Sequence, residues 1–195
     1  EDMQPDWVWI KKRDGADHNQ LYDSVRGFGA GKDLCSGQQF EEGSSSNGST
    51  SLGFVSSATS DGFVLTEGNH GTSSIRSLLV NHSGSTFVGW TWKAGTSFTN
   101  DASATSVGTL DSSGSSSQTA GFSIVSYTSN GSSSQSVAHN LGAVPHMIIS
   151  KNRDSSSSSY NYWTVYHHKN ATANDKKLKL NTTDPVSSTN EWGDT

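Results

Sequence analysis

Histidine, cysteine, serine and the carboxylates are the residues with the most chemistry to offer. The chain has seven histidines but no His-Glu-x-x-His and no His-x-His spacing. His167 and His168 are adjacent, so in a strand they point to opposite faces and cannot share an ion. Exposed strand-end histidines are the preferred reading. Cys35 is the only cysteine, which excludes an intrachain disulfide and a thiolate metal site. Serine is abundant, yet no Gly-x-Ser-x-Gly elbow joins a strand to a helix. Paired carboxylates for glycoside hydrolysis could come from Asp14, Asp23, Glu41, Asp61 or Glu67, with nothing to choose among them. The expectation is a chain with no catalytic residue, metal or cofactor.

Binding is the next chemistry to weigh. Lys-x-Arg-Asp occurs twice, at Lys11–Asp14 and Lys151–Asp154. In a strand Lys11 and Arg13 share a face, as do Lys151 and Arg153, and such a pair could grip an anionic sugar. The preferred alternative is a solvated strand end whose aspartate begins the turn. Trp90 and Trp92 share a face and are read as core. Tyr160, Tyr162 and Trp163 follow the run of serines at 155–159 and are better candidates for an exposed aromatic patch. The candidate ligand residues are therefore Tyr160, Tyr162, Trp163, Lys151 and Arg153. His139-Asn140-Leu141-Gly142, running to Pro145, reads as a tight connection rather than a ligand contact.

The elements that must position these residues carry a repeat. Pro5–Asp14 recurs as Pro145–Asp154 at an offset of 140 residues. Leu21-Tyr22-Asp23 then matches Val165-Tyr166-His167 at an offset of 144, and Lys32-x-Leu34 matches Lys176-x-Leu178 at the same offset. Trp7–Lys12 is expected to be a central strand, because both of its faces begin apolar. Strands are also expected at Gln20–Val25, around Leu34, at Gly53–Val55, Gly62–Leu65, Thr86–Lys93, Gly121–Thr128, Tyr162–His167 and Leu178–Leu180. Asn130-Gly131 reads as a hairpin turn. No stretch has a helical period with a cap. The fold class is all-β, an antiparallel two-sheet sandwich.

Three segments follow: residues 1–95 as a first unit lacking its lead-in hairpin, 96–120 as a Ser/Thr/Gly-rich linker, and 121–195 as a second, related unit that stops halfway. The chain reads as a window from a longer repetitive protein, or as one whose missing strands another chain supplies. A net charge of −5, with charged residues at only 16%, disfavours nucleic acid. No apolar run is long enough to span a membrane. The five Asn-x-Ser/Thr sequons, at Asn47, Asn81, Asn130, Asn170 and Asn181, are expected by chance in so Ser/Thr-rich a chain.

Several segments together resemble a family of repetitive domains in tail-fibre and other virion structural proteins of tailed bacteriophages, especially marine and cyanobacterial ones. They include Pro5–Lys11, Leu21–Gly27, Val80–Gly84, Val88–Gly95, Gly121–Thr128, His139–Gly142, Pro145–Asp154, Trp163–His167 and Leu178–Thr182. The resemblance implies a concanavalin-like, jelly-roll sandwich and a virion location. It implies a non-enzymatic role in a tail fibre or adhesin that helps attach the particle to its host. The expected partners are other virion proteins, further copies of the chain (a trimer being one such assembly) and a host-surface glycan. It carries over no defined binding residue. A dedicated carbohydrate-binding module is the alternative, with a glycan depolymerase third.

Overall fold

A computed structural model describes residues 3–44, 52–155, 161–170, 172, 175–189 and 192. The chain is all-β, its described strands pair antiparallel, and the described residues include a turn of α-helix and a 3₁₀ turn at Ser73–Ile75. In order, the strands are β1 (Trp7–Lys12), β2 (Gln20–Asp23), β3 (Phe54–Thr59), β4 (Gly62–Thr66), β5 (Phe87–Trp92) and β6 (Thr96–Asn100). After the helical turn α1 (Ala102–Thr105) come β7 (Ser112–Ser117), β8 (Phe122–Tyr127), β9 (Met147–Ser150), β10 (Thr164–His167), β11 (Lys176–Lys179) and β12 (Ser187–Ser188). They form sheets ordered β2-β1-β5, β3-β4, β6-β7-β8 and β12-β11-β10-β9. Among the described residues, no helix is long and apolar enough to cross a membrane.

β1 is central, as its two apolar faces require. Val8, Ile10 and Tyr22 point to one side and are buried with Leu52, Val55, Leu79 and Val80; Phe54, Phe63 and Leu65 of the β3–β4 hairpin close that cluster. Trp7 and Trp9 point to the other side. There they meet Leu21, Leu34, Trp163 and Ile149, so residues from both halves of the chain build the second cluster. Each large side chain removed from water in these clusters contributes roughly 1.5–3 kcal/mol.

The repeat is preserved in the strand register. β1 and β2 place Trp7 opposite Asp23, Val8 opposite Tyr22 and Trp9 opposite Leu21. β9 and β10 place the equivalents opposite one another: Met147 and His167, Ile148 and Tyr166, Ile149 and Val165. The third strand follows suit. Leu34 forms a single bridge to Leu21, and its counterpart Leu178 pairs with Val165. Because side chains alternate with period two, a register kept to the residue also keeps the same positions on each face. Trp9 and Ile149 are equivalent, and both pack against the buried Leu21, Leu34 and Trp163, so each repeated sheet turns the same face to the second cluster.

The expected 96–120 linker instead holds β6, α1 and β7. Ser112–Ser117 lies between β6 and β8 and is hydrogen-bonded to both. Its side chains are too small to show an apolar period, but the strand is held by ladders on two sides and Ser112, Ser115 and Ser116 are buried. Small size is itself the requirement. A Cβ on Gly114 would sit 2.6 Å from the Phe98 ring and press on the Ile124 carbonyl. The Asn130-Gly131 turn does not make a hairpin either. The chain beyond it returns to place Val137 in a parallel bridge with Leu110. Residues 43–50 read from their Ser/Gly/Asn composition as a polar loop, and most of them lie outside the described residues.

Buried charge ties the halves together. Arg26 donates to Asp23 at 2.6 Å and lies 3.7 Å from Glu42, with both acids nearly buried; Glu42 in turn pairs with Arg153. Glu42 N also donates to the Arg153 carbonyl at 2.9 Å. Removing one member of such a network strands the others in a low-dielectric site.

Two substitutions test this account by chemical denaturation. Gly114→Ala should destabilise the chain by about 1–3 kcal/mol through overpacking; an unchanged midpoint would mean that β7 does not pack as described. Arg26→Met should cost about 3–5 kcal/mol by leaving nearly buried Asp23 without its cation, while Glu42 keeps Arg153 and Lys32.

Candidate functional site

The four described candidate residues do not assemble into a patch; Tyr160 lies outside the described residues. Trp163 is core rather than surface. It is 5% exposed, and its Nε1 donates to the Cys35 carbonyl at 2.8 Å and the Gln38 carbonyl at 3.1 Å. It follows the serine run, but the facing sheet covers it, which its neighbours in sequence could not reveal. Tyr162 is half-buried and carries the Lys179 ammonium 3.8 Å above its ring. Lys179 is held there by Asp184 at 2.8 Å, and the hydrogen bond to that carboxylate raises its pKa.

Lys151 and Arg153 face the first half of the chain. Arg153 pairs with Glu42, and its Nη1 donates to Ser126 Oγ at 2.9 Å. Lys151 Nζ donates to the Gln39 carbonyl at 3.3 Å and the Asn152 carbonyl at 2.7 Å. Burial lowers the Lys151 pKa to about 8, partly offset by the Glu41 carboxylate. Here the Lys-x-Arg tail joins the two halves instead of being a solvated strand end. In the first copy Lys11 closes its own turn by donating to the Asp17 carbonyl at 2.7 Å, and Asp14 receives Thr86 N at 3.0 Å.

His168 lies in the turn just beyond β10, and its ring meets that of His167 edge-on with centroids 5.3 Å apart, so the two do not take opposite strand faces. The His168 ring returns to His146, with centroids 4.0 Å apart, and its backbone N–H donates to the His146 carbonyl at 3.0 Å. Desolvation, then the neighbouring His146, lowers the His168 pKa. Among the described residues, no group of three or more His, Cys, Asp or Glu is placed to hold a metal ion. The 139–145 segment is a tight connection: Asn140 and Gly142 have φ of 56° and 70°, and His139 Nδ1 receives Leu141 N at 3.2 Å.

The structure also forms an open groove that the sequence did not single out. Its volume is about 740 Å³, and its lining includes Thr99, Asp101, Asp111, Ser113, Tyr127 and Thr128. β6, α1 and the β7–β8 pair position these residues. Asp101 caps α1, accepting from Ser103 N at 3.0 Å, Ala104 N at 3.1 Å and Ser103 Oγ at 2.7 Å. Those bonds, the Ser103 hydroxyl foremost, lower its pKa. Asp111 accepts from Ala102 N at 2.9 Å and pins the same turn against β7. Buried Asn100 closes the turn from beneath, donating to the Val107 carbonyl and accepting from Thr105 Oγ1, both at 2.8 Å. Tyr127 ends β8 and is 48% exposed.

This arrangement offers carboxylate and hydroxyl groups beside an aromatic face, which suits a neutral polyhydroxylated ligand better than an anionic one. The Asp-x-Ser spacing at Asp101–Ser103 is the signal that could have marked the N-cap; its proximity to Tyr127 has no local signal, because it depends on the β7–β8 pairing. Trp90 and Trp92, expected as core, are 43% and 38% exposed. Each keeps one side on an indole, Trp90 on Trp9 at 5.5 Å and Trp92 on Trp7 at 4.9 Å. β5 ends its sheet, so the covering layer stops partway across them.

Lys151 gives a pH test. Its folded pKa of about 8 lies below the ordinary 10.5, so between those values the folded chain has shed a proton that the unfolded chain still holds. Stability should therefore rise with pH across that window, and Lys151→Met should remove that rise. A Lys151 side-chain NMR titration with its midpoint near 10.5 would contradict the burial argument.

No curated protein and no solved structure matches the chain. A family described as a domain of unknown function, DUF7483, matches residues 1–195. The chain belongs to the DUF7483 family.

Proposed function

We propose that this chain is a non-enzymatic structural module of a tailed-phage appendage, a tail fibre or similar adhesin, built as a concanavalin-like, jelly-roll sandwich. The observation that carries this reading is the repeated three-strand unit, whose two copies pack through equivalent faces. Such a unit is a spacer that can be multiplied along a fibre. The family resemblance of its segments supplies the virion context. Glu42 of the first half pairs with both Arg26 and Arg153 and so joins the halves, as a load-carrying module requires. In the virion its partners are other structural proteins and further copies of itself, and host contact is weak at each site and strengthened by multivalency.

The groove favours a second reading, a carbohydrate-binding module. Exposed Tyr127 stands in the same groove as Asp101 and Asp111, an aromatic surface with acids near it. Buried Trp163 contributes nothing to such a platform.

Incubating the purified chain with cells and surface polysaccharide of marine bacteria, cyanobacteria included, separates these readings from catalysis. Retention on cells without release of reducing ends supports the adhesin. Release of reducing ends would overturn the non-enzymatic reading. If the groove is the contact, Tyr127→Ala should weaken retention by about tenfold, the loss expected for one stacking aromatic, while leaving the denaturation midpoint unchanged.

A further inference from the structure

The two repeated sheets are equivalent strand by strand but unequal in cover. In the first, β1 has β2 on one side and β5 on the other, with Trp7 opposite Trp92 and Trp9 opposite Trp90. In the second, β9 pairs with β10 on one side and ends the sheet among the described residues. The faces differ in the same sense. Val8 and Tyr22 are fully buried beneath Leu52, Val55, Leu79 and Val80. Their equivalents are Ile148, 38% exposed, and half-buried Tyr166. Trp192 meets Tyr166 edge-on at 5.8 Å and leaves Ile148 open.

An aliphatic edge strand with unpaired backbone groups is a template for another strand. This chain also holds the complement in its own first half. Residues 52–92 supply both the apolar cover and the Trp-x-Trp strand that the equivalent sheet uses.

We infer that the β9 edge and the Ile148–Tyr166 face are a docking surface for a segment of the 52–92 type, supplied by a further copy of the same repeat. By equivalence to β1, its Trp-x-Trp strand lies antiparallel to β9 with the position of Trp92 opposite Met147 and that of Trp90 opposite Ile149. Its aliphatic residues cover Ile148 and Tyr166 as Val55 and Val80 cover Val8 and Tyr22. This goes beyond the proposed function and holds whether or not the chain belongs to a phage.

The test appends a copy of residues 52–95 directly after Thr195 of the full chain. That places the appended leucine as far beyond Leu178 as Leu52 lies beyond Leu34. Hydrogen exchange is read at Met147–Ser150. In the unextended chain, the amides there that point away from β10 should exchange rapidly. In the extended chain they should slow by at least about a hundredfold, approaching the protection of β1. Ile148→Asp should leave the unextended chain folded with its melting temperature nearly unchanged, and should abolish the protection in the extended one. A soluble extended chain whose β9 amides stay unprotected would overturn the proposal. So would an unextended chain that sedimented as a dimer with β9 already protected, since the surface would then belong to self-pairing.

Discussion

A strand with two apolar faces has to be covered twice. β1 presents Val8 and Ile10 to one side and Trp7 and Trp9 to the other, and leaving either face in water would forfeit most of the burial energy of a thin core. The rest of the structure follows from this. The β3–β4 hairpin and Leu79-Val80 take one face, while Trp163 and Ile149 of the distant second half take the other. β2 and β5 occupy the two edges. The halves are thus held together by the requirements of one six-residue strand.

The polar residues reinforce the arrangement that burial imposes. Asp6 sits just before β1 and accepts from Ala94 N at 2.8 Å, Gly95 N at 2.9 Å and Ser24 Oγ at 2.7 Å, joining the ends of β5 and β2 to the start of β1. Glu42 collects Arg26 and Arg153, one from each half. Trp163 buries its ring in the second cluster and satisfies its only donor on carbonyls of the first half, so packing and hydrogen bonding specify the same interface. Residues whose types suggested ligand chemistry are largely spent on this joining. The groove around Tyr127 is built differently: its acids hold a single helical turn, and the aromatic ring beside them stays open to solvent.

The alternation in Trp7–Lys12, Phe87–Trp92 and Gly121–Thr128 was readable because large side chains mark a period of two. Ser112–Ser117 was not readable. Serine and glycine carry no apolar period, and that strand exists because ladders form on both of its edges and because Phe98 needs the space that Gly114 leaves. The same limit applied to the site. Lys151 and Arg153 were read as sharing a strand face, but β9 ends at Ser150, and the surface they meet depends on Glu42 and Gln39, more than a hundred residues away. Trp163 resembled an exposed aromatic beside a polar loop until the facing sheet covered it.

The order of residues by itself determined the repeat, the all-β class and the central position of β1. These depend on short-range patterns and on offsets that can be counted along the chain. Only the tertiary structure decided which faces meet, which aromatics stay open and which edge is left unpaired. Those outcomes depend on contacts between segments far apart in the chain, where the energy comes from area removed from water and from partners for buried charge. The unequal cover of two equivalent sheets shows the difference: Val8 and Ile148 hold the same place in the repeat, and only one of them is buried.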